Sequence, residues 1–143
     1  MRVYILEDCE IFRLSLMLVL GRESDIEIAG ATGSNSGDIC KQILASQCDV
    51  LLIGLRLRNQ TGLDIARELK TANPTIPILG LGFATDAAFK SELQMSGINV
   101  FIPMTASNDF IISKLRNARE SLGRCDFPCV DSSARISIIP ASK

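Results

Sequence analysis

The sequence predicts a doubly wound α/β domain, a five-stranded parallel sheet with helices on both faces in a (βα)5 arrangement. Three observations carry this. Short apolar runs alternate with amphipathic stretches five times between residues 2 and 122. Asp49-Val50-Leu51-Leu52-Ile53 is an apolar run opened by an acid, the pattern of a central parallel strand buried on both faces. Turn chemistry from Asn59 to Gly62 follows, and a helical pattern starts at Leu63. That order puts Gly54 at the carboxyl end of a strand, where open α/β sheets keep their chemistry.

Arg2 to Leu6 reads as the first strand, with Glu7 and Asp8 at its carboxyl end. Cys9 to Gly21 forms a helix stopped by Gly21, with Phe12, Leu16, Val19 and Leu20 on one core face. The second strand covers Asp25 to Ala31, and a helix runs from about Ser36 to Ser46 after Gly33 and Ser34. Asp49 to Ile53 is the third strand. Its helix carries Leu63, Ile65, Ala66 and Leu69 inward and is stopped by Asn73-Pro74. Ile76 to Leu81 is the fourth strand, with Gly80 and Gly82 in or just after it. Thr85 is the expected N-cap of a helix reaching Met95 before Gly97. Asn99 to Ile102 is a short fifth strand. Ser107 or Asn108 caps a last helix through Leu122, with Ile111, Ile112, Leu115 and Ala118 inward. One domain therefore spans 1–122, and 123–143 is a linker or tail. There, Ile136, Ile138 and Ile139 either add an edge strand or dock on the domain.

Composition narrows the chemistry. The chain has 143 residues, 47% of them hydrophobic, a net charge of −1, five cysteines and no histidine. That hydrophobic share excludes a disordered chain, and the charge advertises no basic surface for nucleic acid. No apolar stretch reaches transmembrane length, and Glu7, Asp8 and Glu10 interrupt the N-terminal run. Cys9, Cys40 and Cys48 fall in or beside ordered elements and read as small core hydrophobes. Cys125 and Cys129 are too few for zinc, which leaves a tail disulfide or an incidental pair. The odd count suits a reducing, cytoplasmic setting.

At several places the chain resembles the receiver domain of two-component response regulators, in particular the NarL/FixJ type, with its CheY-like fold. Ile5-Leu6-Glu7-Asp8-Cys9-Glu10-Ile11-Phe12-Arg13 is similar to the family's opening strand, acidic pair and helix start. Asp25-Ile26-Glu27-Ile28-Ala29-Gly30 resembles its second strand, Gly62-Leu63 the glycine after its phosphorylation loop, and Thr105-Ala106-Ser107 the start of its last helix. The resemblance implies an acyl-phosphate site: a phosphoacceptor Asp ending the third strand, Mg²⁺ between it and the acidic pair, a hydroxyl after the fourth strand and a lysine after the fifth. Those three places hold Gly54, Gly82 and Met104. Nucleophile, hydroxyl and cation are lost together, so the expected protein is an atypical receiver that does not transfer phosphate. No cofactor, metal or enzymatic activity is expected. Without a metal, Glu7 and Asp8 face solvent or pair with Arg56 or Arg58. Phe101 aligns with the aromatic that responds to phosphorylation; with its hydroxyl partner gone, it is expected as core filler.

Two functions from different classes follow. The first is phosphorylation-independent signalling, with control of transcription implied by the resemblance, through a homodimer or a protein partner. Ile11, Leu14 and Leu18 repeat at i, i+3, i+7 outside the core face, with Met17 beside them and Phe110 on the last helix. In a receiver-like fold these helices cover the same side of the sheet, so their apolar residues are the expected interface. DNA is a partner only if an effector domain is missing from this chain. The alternative is a pseudo-receiver that senses a small molecule where Gly54, Gly80 and Gly82 leave space. Against it, Met104 and the stems of Arg56 or Arg58 are expected to collapse into that space.

Overall fold

The structure, a computed structural model, describes residues 1–58, 60–83, 87–98, 100–118, 129–130 and 136–137. Five strands, β1 (Arg2–Leu6), β2 (Glu27–Thr32), β3 (Val50–Gly54), β4 (Ile78–Gly82) and β5 (Val100–Pro103), pair in parallel in the order β2-β1-β3-β4-β5. Between and after them run α1 (Glu10–Gly21), α2 (Ile39–Ser46), α3 (Gly62–Ala72), α4 (Ala87–Met95) and α5 (Asn108–Arg116). The predicted (βα)5 architecture is the observed one.

β3 lies at the centre, and all five of its residues are buried. Strand alternation sends Leu51 and Ile53 into a core under α2, α3 and α4, and Val50 and Leu52 into the opposite core under α1 and α5. Asp49 opens the strand by accepting the Arg2 backbone N–H at 2.8 Å. On α1, Leu16 and Leu20 are buried, and Phe12 and Val19 pack against the same core partly exposed. On α3, Ile65, Ala66 and Leu69 are fully buried, and Leu63 is partly so.

Boundaries moved where a local polar bond competes with the apolar pattern. Asp38, not Ser36, caps α2, its carboxylate accepting the Lys41 N–H, after Gly37 turns the chain at φ +95°. β2 starts at Glu27 because Asp25 is held by Arg116 of α5 at 2.9 Å. β4 starts at Ile78, since Ile76 closes a turn onto Asn73 and Pro77 has no N–H to give. Gly21 is the last residue of α1 rather than its left-handed stop, and Arg22 follows in the right-handed region. α5 runs from Asn108 to Arg116, with Ser107 as its N-cap. Thr85, Cys125, Ile138, Ile139 and the boundary at 122 lie outside the described residues. In the tail, Ile136–Ser137 (β7) pairs antiparallel with Cys129–Val130 (β6) as a separate two-stranded sheet and adds no edge to the main one. Cys40 is buried and Cys48 half-buried, but Cys9 is exposed because it precedes α1 at the mouth of the sheet. Burial, helped by Glu68, pushes the Cys40 thiol up to about 12.

Candidate functional site

Parallel pairing in register carries Glu7, Asp8, Gly54, Gly82 and Met104 to one edge, at the carboxyl ends of β1, β3, β4 and β5. The two acids there have unlike surroundings. Glu7 is 4% exposed. Its carboxyl stands against the backbone of Gly54, where a Cβ would come within 2.9 Å of both carboxyl oxygens. Only a residue without a side chain leaves that place to Glu7. Burial raises the Glu7 pKa; the N–H groups of Cys9 and Asp8 pull it down, the Asp8 charge pushes it up, and Arg13 pulls it down. The Cys9 N–H is 3.3 Å from Oε2, and the Arg13 guanidinium donates to the Glu7 backbone carbonyl at 2.6 Å.

Asp8 ties three segments together. Oδ1 accepts the Ser34 N–H at 2.5 Å; Oδ2 accepts the Ser34 hydroxyl at 2.6 Å and the Arg58 N–H at 2.5 Å. Burial works to raise the Asp8 pKa, but the Ser34 hydroxyl, the two N–H groups and the Arg58 charge outweigh it and hold it below the usual value. The loop it grips is closed again by an antiparallel bridge from Arg56 to Thr61 and by the Gly62 N–H on the Leu55 carbonyl at 3.2 Å. A Cβ on Gly62 would meet the Gly54 carbonyl at 2.6 Å, so this crossing needs glycine.

The gaps left by the β4 glycines are filled by Leu55, a buried residue that the sequence did not single out. A Cβ on Gly80 would lie 3.1 Å from Leu55 and 3.2 Å from Ile98; one on Gly82 would lie 3.1 Å from both Leu55 and Phe101. Phe101 is fully buried in the α2–α4 core, which matches its expected role as filler. Glu7 departs from the expected solvent-facing pair because β1 runs buried up to it and Gly54 leaves it room. Asp8 does meet Arg58, but through the backbone N–H. Met104 and Arg56 do not collapse into the site. They line a cleft of about 720 Å³ with Glu7, Asp8, Arg58 and Phe83. They have no interior space to enter, since Glu7, Leu55 and Phe101 already occupy it. Ser34 and Leu55 were the missed residues. A turn serine and one more apolar residue after Gly54 carry no local signal of these roles.

On the outer face of α1, Ile11 is 79%, Leu14 48% and Leu18 67% exposed. Met17 and Phe110 are half-buried against the α1–α5 core, and the Lys114 ammonium lies 5.4 Å over the Phe110 ring. The exposed stripe is therefore narrower than predicted. Met17 and Phe110 turn inward because α1 and α5 share that core.

Residues 3–116 match the response regulator receiver domain. The chain belongs to that family. Receiver domains are signalling modules of two-component systems, and this receiver is similar to two curated proteins. It is 26% identical over 101 residues to the DNA-binding transcriptional activator DevR/DosR of Mycobacterium tuberculosis, covering 71% of this chain and 46% of that protein. It is 28% identical over 112 residues to the Ycf55-like protein of Synechocystis sp., covering 76% of this chain and 20% of that protein. The receiver thus spans less than half the length of either curated relative. The signal receiver domain of the response regulator NarL from Mycobacterium tuberculosis superposes with a TM-score of 0.76 at 17% identity, covering 83% of this chain and 95% of that one. At that identity the likeness speaks for the fold. Among the described residues, no helix is long and apolar enough to cross a membrane.

Proposed function

We propose that this receiver signals without phosphorylation, as a protein-interaction module rather than an enzyme. The observation that carries the reading is the Glu7 carboxyl seated against Gly54, in the place that the receiver resemblance gives to the phosphoacceptor side chain. Gly82 and Met104 stand where a hydroxyl and a lysine would serve a phosphoryl group. Phosphoryl transfer is positioning plus electrostatic stabilisation, and here the nucleophile and both stabilising groups are replaced. The residues present do not fit Mg²⁺ either. Both Asp8 oxygens already accept hydrogen bonds, and Glu7 is buried with a raised pKa, whereas the ion wants several oxygen ligands in near-octahedral geometry.

The working surface in this reading is the α1 stripe of Ile11, Leu14 and Leu18, with Met17 and Phe110 at its margin, joining two copies of the chain or a protein partner. Likeness to DevR/DosR supports a place in transcription control, with DNA contact left to an effector outside this chain. Incubation with acetyl phosphate and Mg²⁺ tests the first part: intact mass is expected to stay unchanged, and a base-labile gain of one phosphoryl group would overturn it. Light scattering tests the second. Wild type is expected to dimerise and Leu14→Glu with Leu18→Glu to be monomeric. A monomeric wild type at high micromolar concentration refutes the homodimer.

A further inference from the structure

The cleft at the carboxyl edge of the sheet carries polar groups that an interaction module does not use. Among the described residues the Arg56 guanidinium has no carboxylate partner. It lies over the ring of Phe83 at 5.9 Å, and that ring is 61% exposed. An exposed aromatic under a guanidinium is a flat, positively charged platform. The start of α1 opens onto the same cleft through Cys9, Glu10 and Ile11. Cys9, its N-cap, gives the helix no side-chain hydrogen bond, so the N–H groups of the first turn keep their positive end. At the floor, Glu7 is buried, and the Cys9 N–H donates to its Oε2 at 3.3 Å. Asp8 is an acid of the cleft in name only, its oxygens being taken by Ser34 and Arg58. Among the described residues that line the cleft, Glu10 is the exposed carboxylate, and Arg56 and Arg58 line it too.

We infer that this cleft binds a small organic anion with a flat apolar body. The body rests on Phe83, Leu57 and Met104, and the anionic group meets Arg56, Arg58 and the start of α1. Guanidinium groups and helix N-termini both hold such groups, and Arg56, Arg58 and the start of α1 line one cleft here. The site meets the α1 stripe only at Ile11, and it is independent of the phosphorylation question, since it needs neither a metal nor an acceptor side chain.

The probe is 2-naphthoate, compared with uncharged 2-naphthamide, titrated into the full chain while backbone amide shifts are followed. Saturable shifts are expected at Cys9, Ile11, Arg56, Arg58, Gly82 and Phe83. Affinity is expected to fall about tenfold for the amide, and about tenfold for the acid in Arg56→Ala, the scale of one lost charge-assisted contact. Arg56 and Phe83 are at the surface, so Phe83→Ala is a second variant expected to weaken both probes with the fold kept. Equal affinity for acid and amide, shifts centred on Leu14 and Leu18, or no saturation at millimolar probe would each overturn the proposal.

Discussion

Glu7 and Asp8 are adjacent in the chain, yet they sit in two different regions of the site. The inner region, Glu7 with Gly54, Leu55 and Phe101, is closely packed beneath the cleft, and its one carboxyl is buried with the Cys9 N–H at 3.3 Å. The outer region, Asp8 with Ser34 and Arg58, is open to water, and its carboxylate is held by three hydrogen bonds. At Glu7 burial outweighs the partners and raises the pKa, and at Asp8 the partners outweigh burial and lower it. The comparison teaches that an acidic pair kept in sequence need not be kept as a pair. One member has become interior filling and the other a loop clip.

The hardest break of this contrast is Gly54→Asp. It would place a second carboxyl within contact of Glu7, so one must stay protonated or leave the interior. A loss of about 4 kcal/mol is expected from urea melts, with no phosphate uptake gained. Unchanged stability would mean that Glu7 swings out freely and that the inner region is not shut. Next in size is Leu55→Ala, which reopens the space beside Gly80 and Gly82 and is expected to cost about 3 kcal/mol. On the outer side, Asp8→Ala leaves the Ser34 and Arg58 N–H groups to water. We expect about 2 kcal/mol, with amide exchange accelerating at Arg58 and Ser34 while β3 stays protected.

The smallest effect separates the two acids by pH. Glu7 has a raised folded pKa, so its contribution is full below its ordinary value of 4.5 and is lost as pH rises through the folded value. Asp8 has a lowered one, so its contribution is present above its ordinary value of 3.8 and is lost as pH falls through the folded value. Glu7→Gln mimics the protonated acid. It is expected to match wild type near pH 4 and to be more stable at pH 7 by roughly 1 kcal/mol or less. A variant less stable than wild type at pH 7 would show that the ionised carboxylate is the form the fold favours.

By itself the sequence determined the five alternations, the central place of Val50–Ile53, the inward faces of α1, α3 and α5 and the strand-end position of Gly54. These follow from apolar period, run length and turn residues, which act within a few neighbours along the chain. The exposed stripe of Ile11, Leu14 and Leu18 was legible for the same reason, whereas Met17 and Phe110 were misplaced because helix packing on a shared core sets how far such residues turn in. Only the tertiary structure decided what stands beside Gly54. The Glu7 carboxyl reaches it because β1 and β3 pair with Leu6 opposite Ile53, and Leu55 covers both β4 glycines because Gly54 lies opposite Leu81. An empty position in sequence becomes a filled one in space when register brings another strand's side chain to it, and no local pattern encodes that meeting.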